Sequence, residues 1–223
     1  MSAPRRAAGG RGLPALPQPD VARLQPAAGP PASGALHDGL LFDGVDLTGV
    51  DAGDGRFLGC VLRSAAADGL RLAGARLVDC RLSGLEAGEA PWAGSSWQEV
   101  VLGDCRVGAW GLAGAQWTRV AVERVRVDFA DLRGTTFTDV TFRGCELRDV
   151  DASAARWTRV RFEDCRTGHL EVTGARLQDV DLTDCELEAV SGVGDLRGAV
   201  VSQVQLARLA PLLAAHLGVR VAG

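Results

Sequence analysis

The chain contains no Lys, Asn, Ile or Tyr, so all of its 24 basic residues are Arg. Acids are interspersed among these Arg residues, and the basic cluster that phosphate binding requires is absent. No apolar run is long enough to span a membrane, and the segment after Arg5-Arg6 lacks the apolar core of a signal peptide. We therefore expect a cytoplasmic protein that contacts neither membrane nor nucleic acid directly.

The motifs of common enzyme classes are also missing. The sequence has no G-x-S-x-G, no Walker loop, no H-E-x-x-H and no C-x-x-C. Its three His residues, His37, His169 and His216, are far apart, so we expect them at surface or cap positions and not in a catalytic role. We predict that the protein is not an enzyme and that it holds no cofactor and no metal ion. We expect the six Cys residues to be small, buried, reduced core residues.

A five-residue period dominates the rest of the chain. From Phe42 to Leu187 every fifth residue is apolar except Thr167, and the positions two residues earlier, from Leu40 to Cys185, form a second, mostly apolar series. All 42 charged residues of segment 40–189 fall on the other three positions. This period fits neither an α-helix nor a flat strand, because those repeat every 3.6 and every 2 residues. It predicts a backbone that turns a corner every five residues, in units that stack into a solenoid.

A second period of twenty residues defines the stacking. It relates most of the Cys residues, for example Cys145 and Cys165, and also the bulky series from Phe57 to Leu177. Four blocks of five then form one coil with four sides, and residue n lies on residue n+20. The thirty blocks predict an all-β solenoid of about 7–8 coils, in which Trp110 lies between Ala90 and Ala130.

The blocks resemble the pentapeptide-repeat family, whose motif is Ala-(Asp/Asn)-Leu-X-X. The motif stands here as Ala130-Asp131-Leu132-Arg133-Gly134, with variants such as residues 45–49 and 180–184. The resemblance implies a right-handed quadrilateral β-helix, which we assign to residues 36–198. Gly in the fifth place of many blocks suits the corners of such a helix.

The two ends of the chain differ from the repeats. Residues 1–35 hold seven of the nine Pro residues and are predicted to be a disordered tail rich in Pro, Ala, Gly and Arg. Residues 199–223 are predicted to be a C-terminal helical cap, in which Ser202 and Gln205 form a capping box and a second helix starts at Pro211. The cap is either a lid on a monomer or, as the resemblance to gyrase-protecting family members implies, also a homodimer contact.

The sequence favours a non-enzymatic protein-interaction scaffold with an unknown protein partner, because it indicates a regular surface without a convergent polar pocket. The candidate contacts are the outward apolar residues Leu58, Val61, Val78, Val101 and Phe129. The alternative is that residues 1–35 cover some of them.

The alternative is a DNA mimic that binds or protects DNA gyrase, a known activity of the resembled family. The candidate acidic stripe on one side of the rod is Asp46, Glu86, Asp128, Glu146, Asp149, Glu186 and Glu188. Residues 36–190 hold 26 acids and 17 Arg, a net charge of −9. B-DNA of the predicted length, ~36 Å, carries about 21 negative charges, so charge alone argues against strong mimicry.

Overall fold

The computed structural model describes residue 16, residues 19–63 and residues 66–220. It contains short parallel strands, two 3₁₀ helices at Val21–Arg23 and Val193–Asp195, and one α-helix, α1, at Gln203–His216. The strands are β1 (Gln25–Pro26), β2 (Leu36–Asp38), β3 (Leu40–Asp43), β4 (Arg56–Leu58), β5 (Val61–Arg63), β6 (Arg76–Val78), β7 (Arg81–Ser83), β8 (Glu86–Pro91), β9 (Ser96–Gly103), β10 (Arg106–Gly111), β11 (Gln116–Glu123), β12 (Arg126–Asp131), β13 (Thr136–Arg143), β14 (Glu146–Asp151), β15 (Arg156–Glu163), β16 (Cys165–Glu171), β17 (Arg176–Gln178), β18 (Val180–Asp181), β19 (Cys185–Ser191) and β20 (Ala199–Val200).

The strands stack with the predicted register of twenty residues. Trp97 lies beside Trp117, which lies beside Phe137, and the same offset relates the strands of a six-stranded sheet from β8 to β19. Phe42 begins an inward column that continues every twenty residues to Leu182, so that side has eight rungs. The predicted β-solenoid is therefore confirmed.

Left-handed backbone marks the corners, as the fifth-place Gly residues predicted. Gly114, Gly134 and Gly174 have φ values of 70°, 63° and 70°. Eleven other residues share the left-handed region and are not Gly: Asp54, Asp79, Glu99, Asp104, Arg119, Arg124, Asp139, Ala154, Arg159, Asp164 and Asp179. A side chain in this conformation is strained, so these corners need compensation from neighbouring contacts. From Glu86 onwards the residues at the fourth corner, such as Glu89 and Ala109, lie within β8 and its stacked partners and are not left-handed.

Aromatic rings fill the centre of the rod. Trp117 stacks on Trp97 and on Phe137 with ring centroids 4.6 Å apart in both pairs. Trp110 lies between Ala90 and Ala130 in the sheet, as predicted, and is buried. The two small neighbours leave the room that an indole needs in a close-packed interior.

His37 extends this aromatic column to its N-terminal end. Its ring stacks on Phe57 at 4.7 Å and meets the edge of Phe42 at 5.7 Å. The expectation of a surface or cap position is therefore corrected, because His37 is buried at an inward position that the repeat reaches before Phe42. Burial lowers the pKa of the imidazole, since the charged form loses hydration.

The N-terminal segment differs from the predicted free tail where it is described. Strand β1 pairs Gln25 with Leu40 and Pro26 with Leu41, and the Ser33 hydroxyl donates to the carbonyl of Gly53 at 2.9 Å. The offset of fifteen residues in β1 shows that the chain omits one side before it joins the regular coils. Residues 1–15 and 17–18, the rest of the predicted tail, lie outside the described residues.

The C-terminal cap is one helix rather than two. The Ser202 hydroxyl accepts the Gln205 backbone N–H at 3.2 Å, and the Gln205 side chain accepts the Ser202 N–H at 2.6 Å, which is the predicted capping box. Pro211 lies inside α1 and does not split it. Packing explains the difference, because Leu209 before Pro211 and Leu213 after it both contact the solenoid core.

Candidate interaction surfaces

Three of the five predicted apolar contacts lie on the surface of the rod. Leu58 is 36% exposed and Phe129 is 43% exposed, while Val78 is half-buried. Leu58 and Val78 are ladder neighbours on β4 and β6, and the next residues of this column on either side are Asp38 and Gln98. Leu36 is exposed on β2, but its ladder neighbour is Arg56. Phe129 is isolated from them, because it lies on β12 in the six-stranded sheet between Ala109 and Asp149. The structure thus brings together two of the predicted contacts, Leu58 and Val78, as one small N-terminal patch.

Val61 and Val101 are not surface contacts, and their prediction is wrong. They are only 1% and 2% exposed. Both occupy outward positions, but Arg81 lies between them in the ladder, and the two outer neighbours are Leu41 and Ala121. Neighbouring strands are only about 4.8 Å apart, so the aliphatic stem of an Arg covers a short β-branched side chain beside it.

The predicted acidic stripe is interrupted by arginine. Glu86 and Glu146 belong to one column, but Arg106 and Arg126 lie between them. Arg126 pairs with Glu146 at 3.4 Å, and further along the column Arg166 pairs with Glu186 at 2.8 Å. The structure therefore does not support a continuous stripe of like charge.

The remaining stripe residues are divided between paired and unpaired acids. Arg148 approaches Asp128 at 3.4 Å, and the His169 ring lies 3.0 Å from Asp149. Asp46 and Glu188 make no ion pair with any described residue. The Asp46 carboxylate accepts the Thr48 N–H at 2.9 Å, and hydrogen bonding from Thr48 lowers the pKa of Asp46.

Pairing between successive coils recurs around the other sides. Arg159 donates two hydrogen bonds to Asp139 at 2.6 and 2.8 Å, and Arg124 does the same with Asp104 at 2.6 and 2.9 Å. In each pair the Arg side chain lowers the pKa of the carboxyl group. Such exposed pairs contribute little stability each, roughly 0–1 kcal/mol, but they neutralise the surface locally.

Helix α1 exposes a second apolar surface at the other end of the rod. Gln205 and Leu209 face the last coil, where the Gln205 side-chain amide donates to the carbonyls of Leu182 and Cys185 at 2.6 Å. The exposed apolar residues of this end are Val200, Val204, Leu206, Leu212, Leu217 and Val219. These side chains leave an exposed apolar surface on α1 and the segments beside it.

The thiols at the inward positions are buried. All six Cys residues, each within the described part of the chain, are buried and unpaired, as predicted. Burial raises the pKa of both Cys105 and Cys185 to about 11, so these thiols stay protonated near neutrality. Among residues 19–63 and 66–220 no cluster of His, Cys, Asp or Glu could hold a metal ion. No helix in the described part of the chain is long and apolar enough to cross a membrane.

Residues 123–164 match the family model of pentapeptide repeats, with eight copies, which confirms the resemblance seen in the motif. No curated protein sequence matches the chain. Full-length QnrB1, described as a plasmid-mediated fluoroquinolone resistance protein, is 16% identical with a TM-score of 0.27, over 87% of this chain and 100% of that one. HetL from the cyanobacterium Nostoc sp. strain PCC 7120 is described as involved in heterocyst differentiation regulation. It is 16% identical with a TM-score of 0.30, over 75% of this chain and 91% of HetL. With identities and TM-scores this low, neither similarity assigns a function.

Proposed function

We propose that this chain, which carries pentapeptide repeats on a β-solenoid, is an interaction scaffold that binds a protein partner through exposed apolar residues. The observation that carries the proposal is the patch of Leu58 and Val78 on a rod whose charges are largely paired between coils. Leu58 and Val78 lie on adjacent strands of a rigid sheet, so this surface is already formed before a partner binds. Binding therefore costs this chain little conformational entropy.

Partner capture tests this role with a matched control. We expect Leu58→Asp combined with Val78→Asp to abolish capture of cross-linked partners from the native host, because two charges then occupy the apolar patch. The control is Thr118→Asp combined with Thr138→Asp, which adds the same charges to the same column further along the rod. Equal capture by both double variants would refute the patch.

We also propose that α1 forms a homodimer contact. Its exposed Leu206 and Leu217 give a second copy an apolar surface to cover. Sedimentation of the wild type as a dimer at micromolar concentration, and of Leu206→Asp combined with Leu217→Asp as a monomer, would support this contact. The Leu58 and Val78 double variant should keep the wild-type state, and a monomeric wild type would remove the dimer proposal.

DNA gyrase remains the alternative partner, reached by mimicry of DNA. The support is an acid excess on the side that starts with Val45-Asp46-Leu47, which carries nine acids and four Arg, a net charge of −5. The interruption of the stripe by Arg106, Arg126 and Arg166 weighs against it. Glu86→Gln, Glu146→Gln and Glu186→Gln together should weaken a salt-sensitive inhibition of supercoiling if mimicry operates. A wild type without effect on supercoiling at micromolar concentration would remove this alternative.

A further inference from the structure

Three polar side chains near the C-terminal end of the rod form a connected hydrogen-bond relay. His169 Nδ1 lies 3.0 Å from Asp149 Oδ1, and His169 Nε2 lies 2.9 Å from Ser191 Oγ. The three residues come from β14, β16 and β19, which are successive strands of the six-stranded sheet. Asp149 is the ladder neighbour of His169, and Ser191 lies two residues beyond Ala189, the ladder neighbour of His169 on the other side.

The proton positions in this relay follow from the chemistry of the groups. An ionised carboxylate only accepts hydrogen bonds, so Nδ1 of His169 carries the hydrogen and donates it to Asp149. In the neutral ring Nε2 is then an acceptor, and the Ser191 hydroxyl donates to it. The serine hydroxyl therefore faces a base, and the base is oriented by a carboxylate.

We propose that Ser191, His169 and Asp149 form a surface triad that cleaves small neutral or cationic esters, an activity beyond the scaffold role. The order of atoms matches the arrangement that activates a serine nucleophile, which is recognised by geometry and not by sequence position. Ser191 and His169 are the catalytic residues, and Asp149 is a positioning residue that acts through the imidazole.

The backbone around Ser191 fixes the nucleophile. Ser191 is the last residue of β19, and Gly192 follows it with φ 73° and ψ 32° in the left-handed region. A Cβ atom at Gly192 would lie 2.5 Å from the backbone nitrogen of Thr173, so only Gly fits this close approach. The strand end and this tight turn hold the hydroxyl against His169 without a mobile loop.

The charges beside the relay select the substrate class. Glu171 is the ladder neighbour of Ser191, and Asp149 itself is half exposed. Asp195 adds a further carboxylate four residues after Ser191 in the chain, where its Oδ2 accepts the Gly174 N–H at 2.7 Å. An anionic ester would be repelled by these acids, whereas a neutral or cationic ester would not. Ser191 is half-buried and the His169 side chain is 39% exposed, so the relay lies at the surface of the rod.

The proposed reaction conserves atoms and protons in two steps. Ser191 Oγ attacks the ester carbonyl carbon, His169 Nε2 takes the hydroxyl proton, and the alcohol leaves with that proton as its C–O bond breaks. Water then attacks the acyl group on Ser191, His169 takes and returns a proton in the same way, and the carboxylic acid is released.

The test uses a neutral alkyl phosphonofluoridate on the full chain, with peptide mapping by mass spectrometry. Its phosphorus bonds to a serine Oγ while fluoride leaves and the proton passes through His169 to solvent. Ser153 is an internal control, because its hydroxyl donates to Asp151 at 2.6 Å and has no His partner. We expect labelling of Ser191 about a hundredfold faster than labelling of Ser153, the lower range for general-base assistance. Equal rates at the two serines would overturn the proposal without any variant.

Variants then separate catalysis from a purely structural relay. We expect His169→Gln to reduce Ser191 labelling to the rate of Ser153, and Asp149→Asn to reduce it partly and change its pH profile. Ser191 should also appear as an acyl-enzyme with p-nitrophenyl acetate, and a carboxylated probe should react more slowly than the neutral one. Labelling of Ser191 that survives in His169→Gln would refute the triad, and a faster carboxylated probe would refute the substrate class.

Discussion

Replacement of Ala130 by Leu is expected to destabilise the solenoid, because it places a large side chain against the buried indole of Trp110. Ala130 and Ala90 flank Trp110 in the ladder, and all three residues are buried. The indole also meets Trp92 at 6.0 Å and Trp117 at 5.6 Å, so it cannot rotate away without disturbing other rings. The stacked small residues are therefore a requirement of this core layer.

The magnitude follows from the coil spacing. Leu adds three carbons to a position whose ladder neighbour is only about 4.8 Å away, and this gap is already filled by the indole. Overpacking of a well-packed core costs about 1–3 kcal/mol in the free energy of unfolding. For a chain of this size that corresponds to a fall in Tm of roughly 2–12 °C.

Thermal unfolding followed by circular dichroism measures this effect directly. The matched control is Ala93→Leu, which makes the same chemical change at an exposed turn and should leave Tm within about 2 °C of the wild type. A Tm for Ala130→Leu equal to or above that of the wild type would show that Trp110 is not confined between Ala90 and Ala130. The stacking register of this layer would then be wrong.

Three further predictions test other parts of the rod. A thiol reagent should label almost none of the six buried Cys residues in native protein and all six in denaturant, and rapid native labelling would contradict their inward placement. Ala154→Gly should raise the free energy of unfolding by about 0.5–1 kcal/mol, because Ala154 has a φ of 57° and Gly relieves the strain; an unchanged midpoint of chemical denaturation would refute this. The lowered pKa of His37 predicts stability that is full above the unfolded pKa, about 6.5, and lost as the pH falls through the folded pKa, because the unfolded state binds the extra proton. His37→Phe should remove that pH dependence, and an identical pH profile in both proteins would exclude His37 as its source.

The repeat period was sufficient to predict most of the fold, because burial in a solenoid follows a strict rule of position. Trp110 between Ala90 and Ala130, and the buried cysteine columns, follow from that rule alone. His37 was missed because its residue type suggested a surface, although it lies five residues before Phe42 in the same inward series. The inward series therefore includes a polar residue at its N-terminal end.

The surface was predicted less well, because outward direction does not by itself determine exposure. Val101 points away from the core but is covered beside Arg81, and only the identity of the ladder neighbour reveals this. The acidic stripe failed for a similar reason, since Glu146 and Arg126 are twenty residues apart and pair across the coil boundary. In both cases the deciding neighbour is twenty residues away in the chain, on the adjacent coil. The side of the rod alone therefore does not determine exposure or charge pairing.

The end caps depend on tertiary packing that no local pattern contains. Pro211 was expected to start a second helix, yet α1 continues through it because residues on both sides are held against the last coil. The relay of Asp149, His169 and Ser191 shows the same dependence, since no sequence motif joins these residues. The step from Asp149 to His169 is twenty residues, and Ser191 lies twenty-two residues further on, past the strand position beside His169. In a solenoid, side chains that act together therefore lie along columns of residues spaced by twenty or at the ends of the stacked strands. The ion pairs between coils and this relay both occur there.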